Sequence, residues 1–563
     1  AGNIIDLSWD EEIDCDALLY LWQGGSEGGH AAADVMTGRV NPSAALPDTI
    51  ARRLEDYPAH GHFGGAEESV YAEDIYVGYR YFSSFAPEAV LYPFGYGLSY
   101  TSFTSEMHRF TADDKGRLKA DLEVRNSGKR AGKAVLQLYI EAPQGLLPKP
   151  SRVLAAFHKT KRLAPGESER FSLEIEPRIY ASYEDRPQSA YAFSWILEKG
   201  EYKVYSGFDS VSAEESAVFS LPETQVLEKL EQALAPSKAF KRLRPGKNGE
   251  KTWEEVPLKK QAFDETIRET APPFDPAAAG RRFDDWVKGE ISLDEFLEGR
   301  TDDELIRMSF GLGMGPSGVT AGVAGAIGGV TEKLLDAGIP RIACADGPSG
   351  IRMDDGTMAF SLPNGSCLAA SFNEALNEEL FSYLGLELRK NHIASILGPG
   401  MNIHRYPLNG RNFEYFSEDP LLTGRMAAAQ ARGLNRQNTA ATVKHFALNN
   451  QEYKRHDSDS RVSERAAREI YLKAFEIAVR SGEVKSIMSG YNPINGRQCA
   501  SNYALNTVIL REDWGYDGIV MSDWWAGMNK EDYGAKSRED IAAMIRAQND
   551  LYMVINDAEQ IAF

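Results

Sequence analysis

Near the far end of the chain, the run GIVMSDWWAG (518–527) takes an apolar, strand-like stretch onto Asp523 and two adjacent tryptophans. An unpaired carboxylate is costly to bury, so an acid closing an apolar strand needs a reason. Other strand-like runs also lead into polar groups. Asp346 closes RIACAD, Arg411 lies in the loop system after ASILGPG, Lys444 and His445 sit in ATVKHFA, and Met488 with Tyr491 follow in VKSIMSGYN. A guanidinium, an ammonium and an imidazole around carboxylates would bind a polyhydroxyl ligand, and their positive charge would keep the acids ionised. Trp524 and Trp525 add flat apolar faces of the kind that stack on a sugar ring. Nothing resembles a phosphate cradle or a Ser–His–Asp arrangement. The set points to carbohydrate chemistry with Asp523 as a carboxylate nucleophile.

Each residue also has a plainer use. Asp523 would serve as a helix N-cap after the strand, Lys444 and His445 would pair with carboxylates on a rim, Met488 would fill a core, and Trp525 would pack rather than touch a ligand. The decisive feature is convergence, because polar residues follow five separate strands at what would be one end of a barrel.

The elements that must position these residues fit that arrangement. From about 284 to 563, short apolar runs (RIACADG, ASILGPG, ATVKHFA, VKSIMSGYN, GIVMSDW, DLYMVI) alternate with helical stretches such as EALNEELFSYLGLELRKN and SERAAREIYLKAFEIAVRSG. Repeated βα units over such a length predict an α/β fold of the TIM type, a (β/α)8 barrel with its site past the C-terminal strand ends. No GxGxxG follows any strand, which disfavours an open dinucleotide-binding sheet. Residues 101–222 alternate as strands and turns, predicting a small β-sandwich. Residues 223–283 are charged and proline-broken and read as a linker wrapping the other domains. Residues 1–100 read as part of an α/β domain: IIDLSW as a strand, DCDALLYLWQ as helical, then GGSEGG leading into the helix HAAADVMTG.

The chain has 563 residues, enough for two or three domains, and a formal net charge of −20. That balance opposes nucleic acid and anionic membranes as partners, and no run approaches the roughly 20 apolar residues of a membrane span. The four cysteines (Cys15, Cys344, Cys367, Cys499) lack metal-ligand spacing and read as buried thiols. AGNIIDLSWDEE lacks the basic and apolar regions of a signal peptide, which favours the cytoplasm without fixing the compartment. A homo-oligomer is compatible with the sequence.

The signatures ADGPSGIR (345–352), LGPGMNIHRYPLNGRNFEYFSEDP (397–420), KHFALNNQE (444–452), IMSGYNPINGR (487–497) and GIVMSDWWA (518–526), in this order, resemble glycoside hydrolase family 3. Residues 21–47 and 76–103 look like the end of the family's α/β sandwich domain, and VRNSGKRAGKAVLQLYIEAP (124–143) resembles its fibronectin type III-like domain. The sandwich sequence precedes the barrel, which marks the permuted subgroup. The resemblance implies that Asp523 is the nucleophile of a retaining mechanism. It also implies that Asp346, Arg411, Lys444, His445 and Tyr491 bind hydroxyls of the nonreducing-end sugar, and that Met488 and Trp524 form pocket walls.

The function implied is an exo-acting β-glucosidase acting on β-glucosides or gluco-oligosaccharides, without metal or organic cofactor. ADGPSG resembles the glucosidase form. A β-xylosidase, a dual enzyme or a non-catalytic sugar-binding remnant are the alternatives, and RHDSDS (455–460) fits a glucosidase better than a β-N-acetylglucosaminidase. The family's general acid/base glutamate has no counterpart in the sequence, since Glu27 in GGSEGG matches a structural turn. The expectation is that the chain is a piece of a longer protein.

Overall fold

The computed structural model describes residues 1–11, 13, 15–246, 249–260, 262–266 and 271–555. Eight strands form one sheet: β1 (Phe310–Leu312), β2 (Gly325–Gly328), β3 (Arg341–Asp346), β4 (Ser395–Leu397), β5 (Ala440–Phe446), β6 (Ser486–Ser489), β7 (Ile519–Ser522) and β8 (Tyr552–Ile555). Their order is β7-β6-β5-β4-β3-β2-β1-β8, and a parallel bridge from Met521 to Leu551 closes the ring. Six of the eight are the runs singled out in the sequence. The sheet departs from an all-parallel barrel at β2, which runs antiparallel to both β1 and β3. Cys344, Leu397, Met488, Met521, Trp524, Leu551 and Met553 share one apolar cluster, as expected when inward side chains fill such a barrel.

Of the two helical stretches named in the sequence, the first is Glu374–Lys390, and the second is divided into Glu464–Ala466, a π-helical Ala467–Tyr471 and Lys473–Arg480. Glu374–Lys390 starts at Asn373, whose side chain accepts from the Leu376 amide. Pro420–Asn435 starts at Asp419, which accepts from the amides of Leu421 and Leu422, and a proline occupies the first turn. Each cap satisfies one or two of the backbone donors that a helix start leaves free, which helps fix where the preceding loop ends.

Strands between Phe103 and Leu221 form a three-stranded and a four-stranded antiparallel sheet around their own apolar core. Gln225–Lys229, inside the expected linker, pairs with Ser194–Leu197, and a hairpin of Lys241–Pro245 and Lys251–Glu255 follows. Arg242 of that hairpin is buried against Asp185, with Nη1 2.6 Å from Oδ2.

Near the N-terminus two expectations fail. Ser8–Glu11 is a short 3-10 helix rather than the end of a strand, and the described part of 14–23 has no regular structure. Residues 12 and 14 lie outside the described set. Ile5, Leu18, Leu19 and Leu21 are exposed while Leu7 and Trp22 are buried, and a short segment that buries so few of its apolar side chains gains too little to order as helix or strand. The helix after GGSEGG is present as Gly28–Met36. Only two of the four cysteines match the expected burial: Cys344 and Cys499 are buried, Cys367 is intermediate and Cys15 is exposed.

The first 100 residues also brace the barrel. Glu68–Val70 pairs in parallel with Asp459–Arg461, Asp459–Arg461 with Pro493–Ile494, and Pro493–Ile494 with Arg497–Gln498, so loops after β5 and β6 join a four-stranded sheet with an early segment. Beneath it Arg405 is fully buried: Nη2 donates to Glu73 Oε2 at 3.0 Å and to the Val70 carbonyl at 2.8 Å, and Nη1 to Ser69 Oγ at 2.8 Å.

On the opposite flank Glu476 accepts from Arg178 at 2.7 Å, Lys473 at 3.1 Å and Arg480 at 3.1 Å, tying the β-sandwich to a barrel helix. Burial alone would raise the Glu476 pKa, but the Lys473 and Arg178 charges hold it at about 2. Unfolded glutamate titrates near ~4.3, so between those values the unfolded chain binds more protons. Stability from Glu476 is therefore present above that window and lost as pH falls through it. The wild type should lose more thermal stability from pH 5 to pH 3 than a Glu476→Gln variant. Parallel losses would remove this group as the cause.

Candidate active site

Register brings the polar strand ends together. Lys444 lies opposite Met488, and Met488 opposite Met521, across β5, β6 and β7. Asp346 ends β3, and its Oδ1 accepts from Lys444 Nζ at 2.8 Å, with Arg352 Nη1 3.7 Å from Oδ2. Lys444 is buried, whereas the Asp346 side chain is one-third exposed (33%). One end of this pair is thus open to a ligand.

Asp523 follows β7, and its Oδ1 accepts from the Trp524 amide at 2.7 Å. No helix begins there, which removes the N-cap reading; the next helix starts at Ile541 with Asp540 as its cap. His445 Nε2 stands 3.7 Å from Asp523 Oδ2, and Tyr491 also acts on the carboxylate through its side chain. Arg411, in the loop after β4, donates from Nε to Glu414.

Met488 is almost fully buried in the same cluster as Trp524, whose Nε1 donates to the Ala324 carbonyl at 3.2 Å. Met488 therefore has the core surroundings of its plainer reading, with a place beside the candidate wall Trp524. Trp525 reverses expectation: it is 43% exposed, with a left-handed φ of 56° that turns it away from the core. On Tyr491 rest the His456 ring, 4.1 Å between centroids, and the Arg455 guanidinium at 4.7 Å.

The electrostatics divide the two acids. Burial would raise the Asp346 pKa, but Lys444 outweighs it and the carboxyl lies below its ordinary value. For Asp523 burial wins over Lys444 and Arg411, and the pKa lies above the ordinary value. Neighbouring cations thus prevail at Asp346, while at Asp523, which sits deeper, burial outweighs them. The groups acting most strongly on Asp523 are Lys444, Arg411, the Trp524 amide and Tyr491, and none is a carboxyl. Among the described residues no cluster of His, Cys, Asp and Glu could hold a metal ion, and no helix is long and apolar enough to cross a membrane.

Three neighbours went unnoticed in the sequence. Asn402 holds His445 at both backbone ends, accepting from its amide and donating to its carbonyl at 2.9 Å each. Tyr415 places its hydroxyl 3.2 Å from His445 Nδ1, and Asn449 donates to that hydroxyl at 3.3 Å. All three lie inside the quoted motifs, but nothing in their spacing aims them at His445.

Three family models match this chain: the glycosyl hydrolase family 3 C-terminal domain at residues 1–100, the fibronectin type III-like domain at 134–210 and the glycosyl hydrolase family 3 N-terminal domain at 325–562. "Beta-glucosidase A" of Butyrivibrio fibrisolvens is 37% identical over all of this chain and 70% of its own length. The chain belongs to glycosyl hydrolase family 3.

Within family 3 its domain order is permuted, with the C-terminal domain first. A "Beta-glucosidase" of Ruminococcus albus is 50% identical over 99% of this chain. A crystal structure described as a novel beta-glucosidase from Paenibacillus barengoltzii superposes with a TM-score of 0.95 at 49% identity over 99% of this chain. The chain spans 59% of the Ruminococcus protein and 63% of the Paenibacillus one.

Proposed function

We propose that this chain carries the sugar-binding and nucleophilic apparatus of an exo-acting, retaining β-glucosidase, within the domain division 1–100, 101–222, 223–283 and 284–563. The observation that carries the reading is a buried carboxylate, Asp523, at the end of β7 among Lys444, Arg411, His445 and Tyr491. Asp523 attacks the anomeric carbon of a nonreducing-end β-glucosyl residue, the bond to the aglycone oxygen breaks, and a covalent glycosyl-enzyme forms. Water then hydrolyses it with net retention. The departing oxygen needs a proton, and no described residue is given that role.

Asp346, Arg411, Lys444, His445 and Tyr491 bind the sugar hydroxyls, with Met488 and Trp524 as walls. The three relatives named as β-glucosidases support a β-glucoside as substrate. The test is the hydrolysis of an aryl β-glucoside followed by proton NMR of the sugar as it is released. The β-anomer should appear first. First release of the α-anomer would exclude a covalent intermediate on Asp523, and a faster reaction with the matching xyloside would shift the substrate class.

Asp346 offers a second check. Hydrogen bonds to a charged group contribute about 1.5–3 kcal/mol, and Asp346→Ala also strips the buried Lys444 of its partner. We expect kcat/KM for the glucoside to fall at least about tenfold. The loss should be smaller for a xyloside, which lacks the C6 hydroxymethyl. Equal losses would show that Asp346 does not read that group.

A further inference from the structure

His445 is buried and neutral: burial and the charges of Arg411, Lys444 and Arg455 push its pKa well below the usual histidine range. A neutral imidazole has one N–H and one acceptor nitrogen, so the placement of a single proton decides what the ring offers its neighbours. Nδ1 faces the Tyr415 hydroxyl at 3.2 Å, and Nε2 faces Asp523 Oδ2 at 3.7 Å. Tyr415 is itself fully buried and, with its pKa raised by burial, keeps its proton. Its hydroxyl is engaged from the other side by Asn449 Nδ2. An amide nitrogen only donates, so the hydroxyl accepts there and its own hydrogen is left for His445 Nδ1.

We propose that Tyr415 fixes His445 as the Nε2–H tautomer, so that the ring presents a donor, and never an acceptor, to the Asp523 side of the site. The chain of bonds runs one way, from Asn449 through Tyr415 to His445 and out towards the ligand. Asn402 holds the His445 backbone while Tyr415 sets its proton, which makes Tyr415 a positioning residue. A ring so fixed takes no proton through Nε2. It is barred from acting as a base there and is suited to holding a sugar oxygen, or to steadying Asp523 while that carboxylate is negative. The link to sugar binding rests on the function proposed above, whereas the tautomer itself does not.

The test keeps the two apart. Histidine is labelled with 15N, and the ring nitrogens are read by long-range proton–nitrogen NMR on the ligand-free protein, with a His445→Gln sample assigning the signal among nine histidines. The wild type should show a protonated Nε2 and a bare Nδ1. Tyr415→Phe should move the signals towards a mixture of tautomers and lower kcat/KM on an aryl glucoside roughly tenfold, about one hydrogen bond's worth. If Tyr415→Phe does not give a cooperative thermal transition, Asn449→Leu serves instead. It leaves the tyrosine but removes the donor that orients its hydroxyl, so the oxygen can accept from an Nδ1–H instead, and the tautomers should also mix. A wild-type His445 protonated at Nδ1 or at both nitrogens overturns the proposal, as do unchanged ring signals in the folded variant. Inactivity of the wild type towards glucosides would sink the functional reading and leave the tautomer result standing.

Discussion

An Asp523→Asn variant should fold normally and turn over glucosides at least ~10³-fold more slowly, about 4 kcal/mol of barrier. The carboxamide has nearly the same shape but a very poor nucleophilic oxygen, so the covalent step is lost while the contacts around it persist. The variant should therefore keep its affinity for the sugar product. A mechanism-based fluoroglucoside should add its mass to the peptide containing Asp523 in the wild type and not in the variant, as read by mass spectrometry. Retention of a tenth of wild-type activity would remove Asp523 from the role.

The acid limb of the pH profile offers a second view of the same group. As the proposed nucleophile, Asp523 would attack only when ionised, and burial raises its pKa. Activity should therefore fall with decreasing pH at values above the ordinary aspartate range near ~3.9.

The largest stability effect is expected at Arg405. Its guanidinium is fully buried and bonded to Glu73, Ser69 and the Val70 carbonyl, with the Tyr71 ring 3.8 Å beneath it. Arg405→Leu leaves Glu73 buried without its cation, a change that costs about 3–5 kcal/mol in comparable cases. A multidomain chain need not unfold in one step, so the reading should be taken from the transition that abolishes activity. A fall of roughly 10 °C is expected there. Adding Glu73→Gln should recover part of the loss, because the stranded charge is then gone. A shift of only a degree or two in the single variant would mean that water or a rearranged neighbour compensates Glu73.

Much of this was readable in the residues because it rests on local patterns. RIACAD and GIVMSD carry the apolar run, the length and the polar terminus that a barrel strand with a functional end requires, and the structure sets Asp346 and Asp523 at those ends. β1 and β2 were invisible for the opposite reason. SFGLGMG and GVAGAIGGV are rich in glycine and offer no β-branched alternation, and they become strands only because neighbours supply hydrogen bonds. The inversion of β2 is likewise a property of the sheet rather than of its four residues. At the candidate site, the side chains proposed to meet a ligand were legible by type, while the raised pKa of Asp523 and the grip of Tyr415 and Asn402 on His445 depend on three-dimensional neighbours alone. The N-terminal misreading came from taking a local pattern for regular structure in segments where Ile5, Leu18, Leu19 and Leu21 stay exposed.

The small sheet above the barrel has a consequence for how the protein is made. Ser458, in the loop after β5, donates to the carbonyl of Gly65, 393 positions earlier in the chain. During synthesis the bracing segment leaves the ribosome long before the loops it must join. At roughly 5–20 residues per second it waits about 20 seconds or more with its pairing edge unclaimed. Contacts of such span also form late, since a long stretch of chain must be ordered before they return any free energy. Maturation of the candidate site is thus tied to elements produced long after the segment that braces it, and slow translation across the barrel would lengthen the interval in which Glu68–Val70 is open to a wrong partner.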